Sequence, residues 1–458
     1  MGVRTQGRGE DAHSVLRQPR LVPLHALAAG VDFERYFRWR RAREGDPFVV
    51  RFPGFGSGLF TGTPEGAREM FRAPVESLEP PRPNPVEPLV GDASLILTSG
   101  QRHRRDRALL APAFHGARIR EYAQLIREST VHEMSGGSNG SAWTPGTRID
   151  ARAAARAITL RVILEAVFGV DSRERRAEYT AVVAEFLDAY TGPLMLVPTL
   201  RRGLFDRLPW DRFVRARDRL DALILADIAR RTTHSEPRTG DILGLLLTAR
   251  YEDGGTMPES DLCDQLRTLL VAGHETTATS LVWALFHLHR EPESLAALRA
   301  ELRTAGSTAT AAELARLPYL DAVCQETLRL HPTVPIVVRR LTEPFTFRGI
   351  ELAAGDTIGL AVPLLHSAPQ TWTHPQRFQP DRFADRRYTP FEYAPFGGGH
   401  RRCVGAGLAD YELRIALATI LSLVQLRLTP RFARGRAPLS VPHNIATGPR
   451  RAITFEVA

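Results

Sequence analysis

Between Pro258 and Pro292 the chain carries no proline, and the residue pattern across that stretch is helical. Thr256-Met257-Pro258-Glu259 reads as a capping box at its start, with proline tolerated in the first turn. A helix of about 30 residues is ~45 Å long, enough to cross an entire domain. A rod of that length forces the rest of the chain to wrap around it. From Ile149 to about Thr310 the pattern stays helical, and it is helical again from Tyr411 to Leu426. Strand signals are few. Phe48–Phe52 with Gly58–Gly62 reads as a hairpin, and Phe345–Ile350 and Thr357–Leu360 read as strands around turns. The expected fold class is therefore mainly α with a small β region.

Length alone suggests about two or three domains, but no internal repeat divides the chain. The proline-rich run from Pro80 to Pro88 is expected to be a surface loop, as is the Ser-, Gly- and Asn-rich stretch Ser135–Gly146. Neither marks a boundary. We expect a loosely ordered arm over residues 1–30 and one catalytic domain over 31–458.

A hydrophobic fraction of 43% and a charged fraction of 24% are those of a globular protein with a substantial core. Three distant cysteines, Cys263, Cys324 and Cys403, are an odd number and argue against a disulfide framework. A reducing cytoplasm fits best. The net charge of +9 could point to nucleic acid or an anionic membrane. All the basic residues are arginine, however, which reads as codon bias, so the global charge is discounted. The polar, arginine-bearing start of the chain, Met1–Gln18, has neither a signal-peptide core nor the ~20 apolar residues of a spanning anchor.

One cysteine stands apart. Phe396-Gly397-Gly398-Gly399-His400-Arg401-Arg402-Cys403-Val404-Gly405 places it in a glycine-rich loop beside arginines. Glycines let the backbone turn tightly and aim N–H groups at one atom, and positive charge favours the thiolate, the metal-binding form. No second cysteine lies at a zinc-like spacing. A lone thiolate suits the axial position of a haem iron, whereas the plainer reading is a small buried hydrophobe in a glycine turn.

Phe396, Gly399, Arg401 and Cys403 match, without exception, the Phe-x-x-Gly-x-Arg-x-Cys pattern, and the loop resembles the haem-binding loop of the cytochrome P450 superfamily. The resemblance spans nearly the whole chain. It implies the α-rich prism of that fold, with haem b between the long central helix and the loop. Cys403 would be the iron ligand, and Phe396, Arg401 and Gly405 would belong to the cofactor's cradle.

In the middle of the long helix, Ala272-Gly273-His274-Glu275-Thr276-Thr277 resembles the family's oxygen-activation motif. Small side chains at Ala272 and Gly273 would let the helix pass close to a flat ring. A threonine hydroxyl can open a groove in the helical ladder. The resemblance implies that Thr276 hydrogen-bonds dioxygen while Glu275 feeds protons towards it. His274-Glu275 also begins an H-E-x-x-H string, but position 278 is Ala, so a zinc motif fails. Thr276 and Thr277 could equally be ordinary polar residues of a buried helix.

Glu326 and Arg329 lie three apart on a predicted helix closed by Pro332 and can pair, either on the surface or, as the resemblance implies, in a buried triad with Arg382. His103 and Arg107 share a helix face. With Arg401 and Arg339 (or Arg340 in its place), the resemblance gives them the haem propionates, although each alone reads as readily as a solvated residue. Arg102, Arg104, Arg105 and Arg402 form either a docking ring for an acidic electron donor or simply a solvated face.

The substrate side is the least defined. Leu95 and Leu97, an apolar lid over Thr191–Pro198 with Leu194, Val271 beside Ala272 and Glu275, Val334, Ile336 and Val337, and Ile445 and Ala446 are the expected lining. Few charges occur among them, which implies a hydrophobic substrate: a fatty acid, a terpenoid, a steroid-like molecule or a natural-product intermediate. The resemblance implies an O2-dependent monooxygenase, monomeric and without a membrane anchor. Its electrons would come from a separate ferredoxin or flavodoxin with an NAD(P)H-dependent reductase, since no nicotinamide-binding glycine motif completes at Gly405-Ala406-Gly407. A peroxide-driven peroxygenase and a non-catalytic haem sensor or carrier are the alternatives.

Overall fold

The computed structural model describes residues 32–52, 56–137, 140–203, 207–233, 240–443 and 445–458, with His25 and Ala28. The expected arm over residues 1–30 lies otherwise outside the described residues. Helix α1 (Phe33–Glu44) starts where the Asp32 side chain accepts from Arg35 N–H. Strands β1 (Phe48–Phe52) and β2 (Gly56–Thr61) form the expected hairpin, pairing Phe48 with Phe60 and Val50 with Gly58. Helix α2 (Pro64–Arg72) and the short β3 (Leu78–Glu79) follow. The proline-rich run is irregular until Glu87, where a one-turn helix, Glu87–Val90, takes Pro88 into its first turn.

Helix α3 (Gly100–Leu110) leads to α4 (Ala117–Met134), β4 (Arg148–Asp150) and α5 (Ala151–Phe168). Four helices, Arg173–Ala189, Gly192–Leu196, Pro209–Thr233 and Ile242–Thr248, precede the long rod α6 (Glu259–Leu288). Its 30 residues match the expected length. Its cap does not match: Pro258 is the N-cap and no side chain caps it. The reason is chemical, because proline offers no side-chain acceptor, and Glu259 and Asp261 in the first turn supply the favourable charge instead.

Beyond two further helices, Pro292–Ala305 and Ala311–Leu314, lie α7 (Pro318–Leu330) and strands β5 (Ile336–Leu341), β6 (Phe345–Phe347), β7 (Ile350–Leu352) and β8 (Thr357–Ala361). The sequence pattern missed β5. Its run Ile336-Val337-Val338-Arg339-Arg340-Leu341 ends in two arginines, which break a simple alternation. The chain closes with α8 (Ala406–Leu423), β9 (Leu426–Leu428), the short α9 (Pro430–Arg434), β10 (Ser440–His443), β11 (Ala446–Pro449) and β12 (Thr454–Val457). Leu426, expected at the end of a helix, belongs to β9.

The largest sheet runs β1-β2-β8-β5-β3, and β2 pairs parallel to β8. Three smaller sheets stand apart from it. The rod α6 packs along α5 and also touches α7, α8 and β11. One large apolar cluster surrounds α5, α6 and α8, while two smaller ones cover the sheet. The mainly helical architecture with its small β region is as expected. No helix among the described residues is long and apolar enough to cross a membrane.

Candidate haem site

The cysteine loop is folded against α2. Gly397 and Gly399 both have φ of 66°, the left-handed conformation that glycine adopts without strain. A Cβ at Gly398 would lie 2.3 Å from the Phe71 ring, and one at Gly399 would lie 2.6 Å from the Phe71 carbonyl oxygen. The glycines are thus required both by the turn and by contact with α2. The Cys403 N–H donates to the Phe396 carbonyl at 3.0 Å, closing the loop.

Burial is the largest influence on the Cys403 thiol and raises its pKa, while the Gly405 N–H, Arg402 and Arg107 favour the thiolate. The Cys403 side chain is nevertheless accessible. Accessibility and desolvation agree if the sulfur faces an enclosed space inside the fold and not bulk water. Arg339 combines the same two properties. It is only partly buried by surface area, yet burial, then Arg401, pushes its pKa down to about 9.

His103, Arg107, Arg339, His400 and Arg401 lie close enough to act on one another's charge, and Arg107 acts on Cys403 as well. His103 on α3 is 3% exposed, and burial, with Arg401 and Arg107 next, holds its pKa at about 3. Its ring meets that of His400 edge-on at 6.1 Å between centroids. Burial and Arg107 bring Arg401 down to about 10. Burial also lowers Arg107. Arg401 donates to the carbonyl of Thr98, and Arg339 donates at 2.8 Å to that of Val338. Among the described residues, neither is in an ion pair with a carboxylate. Arg401 Nε, His400 Nε2 and Thr98 Oγ1 are buried without a partner. Arg340 is different, since it donates to Glu79 at 2.5 Å. Adjacent residues of a strand point to opposite faces, so only Arg339 reaches the cluster.

On α6, Ala272, Gly273 and Thr276 are partly accessible while the residues around them are buried. Positions 272 and 276 lie one turn apart and share a face. Thr276 Oγ1 donates to the Ala272 carbonyl at 2.6 Å. The reason for Gly273 differs from expectation: a Cβ there would lie 2.7 Å from Ile163 Cδ1 on α5, so the missing side chain serves helix–helix contact. Glu275 also departs from expectation. Its carboxylate turns towards α5 and accepts from Arg156 Nε at 2.7 Å and Nη2 at 2.9 Å. Glu275 is 2% exposed and the Arg156 side chain 37%, so the pair links the helix interior to solvent. His274 is buried against Thr159, whose hydroxyl lies 2.9 Å from His274 Nδ1.

The scaffold charges converge. Arg329 donates to both oxygens of Glu326, at 2.6 and 2.8 Å, and Arg382 Nε and Gln379 N–H add bonds at 3.2 and 2.9 Å. The remaining N–H groups of Arg329 go to carbonyls of His366, Pro375 and Arg377. Glu326 is 0% exposed, so a surface pair is excluded.

Of the expected lining, Leu95, Leu97, Leu194 and Val271 are buried in the main core, and Ile445 packs against it. Gln265 on α6 holds the Leu95 N–H at 3.1 Å. Ala446 is buried on β11, against α6. Val337 lies 3.8 Å from the Cβ direction of Gly397. Ile336 instead packs with the Tyr36–Phe37–Phe60 cluster, and Val334 is 41% exposed. The expected lid is not a loop. It forms the short helix Gly192–Leu196, with Leu194 turned inwards. The proposed donor ring is largely engaged within the chain. Arg102 pairs with Asp261 at 2.8 Å, Arg104 pairs with Glu76, and Arg105 stacks over Tyr251 at 4.0 Å. Arg402 is exposed.

A haem offers one iron to a thiolate and two carboxylates to cations. A desolvated thiol supported by a backbone N–H, and desolvated arginines lacking carboxylate partners, are complementary to it. The residues fit the group. Arg156 and His400 were not singled out from the sequence. His400 sits inside the cysteine motif and was legible there. Arg156 is 119 residues from its partner, and nothing local signals it.

The family model for cytochrome P450 matches residues 21–438. Putative cytochrome P450 135B1 of Mycobacterium tuberculosis is 35% identical over 416 residues, covering 89% of this chain and 85% of that protein. Putative cytochrome P450 138 of the same organism is 32% identical over 417 residues, 90% of each. Among solved structures, retinoic acid bound cyanobacterial CYP120A1 superposes with a TM-score of 0.78 at 23% identity, covering 92% and 94% of the two chains. The cytochrome P450DA heme domain does so at 0.82 and 23%, covering 96% of each. These two speak for the fold. The family model and the relatives in sequence make this chain a member of the cytochrome P450 family, a haem-thiolate monooxygenase.

Proposed function

We propose that the enzyme inserts one oxygen atom of O2 into a hydrophobic small molecule, with haem b held by Cys403 and electrons supplied by a separate ferredoxin or flavodoxin and its NAD(P)H-dependent reductase. The observation that carries the substrate class is the character of the α6 face. Its accessible positions are Ala272, Gly273 and Thr276, the nearby lining is aliphatic, and the one carboxylate, Glu275, is neutralised by Arg156. A fatty acid, terpenoid, steroid-like or natural-product substrate suits such walls. The bound haem supplies the activation of O2.

The chain's own residues supply position and protons. Arg107, Arg339 and Arg401 would neutralise the propionates of a bound haem, His103 would donate a hydrogen bond to one of them, and Phe396, Gly405 and the loop glycines hold the cysteine sulfur in place. Ala272 and Gly273 leave room beside Thr276. As the side chains stand, Thr276 donates to the Ala272 carbonyl, leaving its oxygen free to accept. Glu275 faces the solvent-linked Arg156; on leaving that pair its carboxylate would take a proton from water and pass it on through a hydrogen bond to Thr276 Oγ1. Glu326, Arg329 and Arg382 brace the region and do not touch substrate. With Arg102, Arg104 and Arg105 engaged within the chain, exposed Arg402 is the residue of that group offered to an acidic donor. The protein acts as a monomer in the cytoplasm.

Turnover of a lipid, terpene and steroid library with NAD(P)H, ferredoxin and reductase tests this reading. Product is expected there, and Thr276→Ala is expected to divert most of the consumed electrons to peroxide. Product with hydrogen peroxide alone, at equal or higher rate, would favour a peroxygenase. No product under either condition would favour a carrier or sensor.

A further inference from the structure

From Leu413 to Phe455 the sequence contains seven arginines and no aspartate or glutamate. This is unlike the rest of a chain that has 60 basic and 51 acidic residues. The fold brings four of those seven arginines together. Arg431, Arg436, Arg450 and Arg451 line one concavity of ≈ 320 Å³ between α9 and the base of the β10–β11 hairpin. Its other walls are apolar or backbone, namely Phe432, Gly435, Ala437, Pro438 and Leu439. Phe432 is buried and carries the Arg431 guanidinium over its ring at 5.9 Å. Leu439 is 45% exposed.

Two backbone ties hold the rim in shape. The Arg450 N–H donates to the Leu439 carbonyl at 2.8 Å, and Arg290, just beyond α6, donates to the Gly435 carbonyl at 2.7 Å. Several of the arginines described above are committed to carboxylates: Arg102, Arg104, Arg156, Arg329, Arg340 and Arg382. None of the four lining the concavity is in an ion pair among the described residues, and no carboxylate is among its lining residues. Four like charges around a single hollow repel one another. Such an arrangement is complementary to a compact ligand carrying several negative charges, and arginine forks bind phosphate oxygens in pairs.

We propose that this concavity is a binding site for an organic diphosphate: two adjacent phosphates held by Arg431, Arg436, Arg450 and Arg451, with the apolar or aromatic body of the ligand against Leu439, Pro438 and Ala437. The volume sits at the lower end of small-molecule sites, roughly 300–1,000 Å³, which suits a diphosphate and the ring or chain next to it. The site is separate from the cysteine loop and stands whether or not the substrate reading above is right.

The test is isothermal titration of the haem-loaded full chain, at physiological ionic strength, with ADP, geranyl diphosphate, inorganic pyrophosphate and inorganic phosphate. Saturable 1:1 binding is expected, at least about 10-fold tighter for diphosphates than for phosphate. ADP or geranyl diphosphate should exceed pyrophosphate, and which of the two binds tighter identifies the body of the ligand. Arg450→Gln/Arg451→Gln should weaken binding at least about 10-fold, and Arg427→Gln, an exposed arginine of the same acid-free segment but outside the concavity, should leave it unchanged. Unchanged haem spectra and melting temperatures show that the variants fold. Absence of saturable binding, equal losses in both variants, or binding to phosphatidylserine vesicles with none to the diphosphates would overturn the proposal.

Discussion

Two clusters of buried charge lie near the cysteine loop, and they are built on opposite principles. Around Glu326 the hydrogen bonds are matched: one carboxylate takes bonds from two guanidinium groups and a backbone N–H, and the spare donors of Arg329 end on carbonyls. Around Arg339 and Arg401 the cations are desolvated and find carbonyls but no carboxylate among the described residues. The first arrangement holds a fold together by itself. The second is poorly satisfied until an anion arrives, and that difference separates scaffold from ligand site without reference to any motif.

The comparison can be broken most directly at Glu326. Glu326→Ala strands two buried guanidinium groups and is expected to cost about 3–5 kcal/mol, leaving little folded, haem-loaded protein. A normal yield and an unchanged melting temperature would show that the matched cluster is not structural.

Acid separates the clusters next. His366, bonded to the Arg329 carbonyl, and His103 are both held at about 3, chiefly by burial. The ordinary histidine value is 6.5, so the unfolded chain takes up protons before the folded one. Stability is then full above about 6.5 and falls as the pH drops from there towards 3, by up to about 1.4 kcal/mol per pH unit for each histidine. Two propionates beside His103 would raise its pKa towards the ordinary value and remove its share of the loss, while His366 keeps its own. Denaturant titrations at pH 7 and pH 5 should therefore show a steeper acid loss for the haem-free protein than for the loaded one. Equal losses would place no carboxylate near His103.

Arg339→Ala sharpens the contrast further. Losing a charged hydrogen-bond donor worth about 1.5–3 kcal/mol should increase haem release roughly 10- to 100-fold, with no loss of melting temperature in the haem-free protein because a repelling cation is gone. The smallest effect is expected from Arg340→Ala. Its pair with Glu79 is partly exposed, so stability should change by about 1 kcal/mol or less and haem retention not at all. If Arg340 and Arg339 behave alike, their assignment to opposite faces of β5 is wrong.

How far the site could be read in advance depended on how local its determinants are. Phe396, Gly399, Arg401 and Cys403 are set by a turn that glycine conformations enforce, so their spacing is visible along the chain. Glu326 and Arg329 are one helical turn apart, and the choice between a surface pair and a buried triad needed only to see Arg382 arrive. The strand β5 was missed, and with it the means to choose between Arg339 and Arg340. The donor ring at Arg102, Arg104 and Arg105 looked free because its partners, Asp261, Glu76 and Tyr251, are distant in sequence.

By itself the sequence determined the length of the rod, the thiol in its glycine turn, the mainly helical class and the family, since these follow from backbone preference and short-range periodicity. Tertiary structure alone decided that Gly273 makes room for Ile163, that Glu275 turns away from the Thr276 face to meet Arg156, and that Arg339 and not Arg340 faces the cysteine loop. Each of these depends on which distant side chain lies opposite. Long-range packing sets that partner, and local spacing along the chain does not encode it.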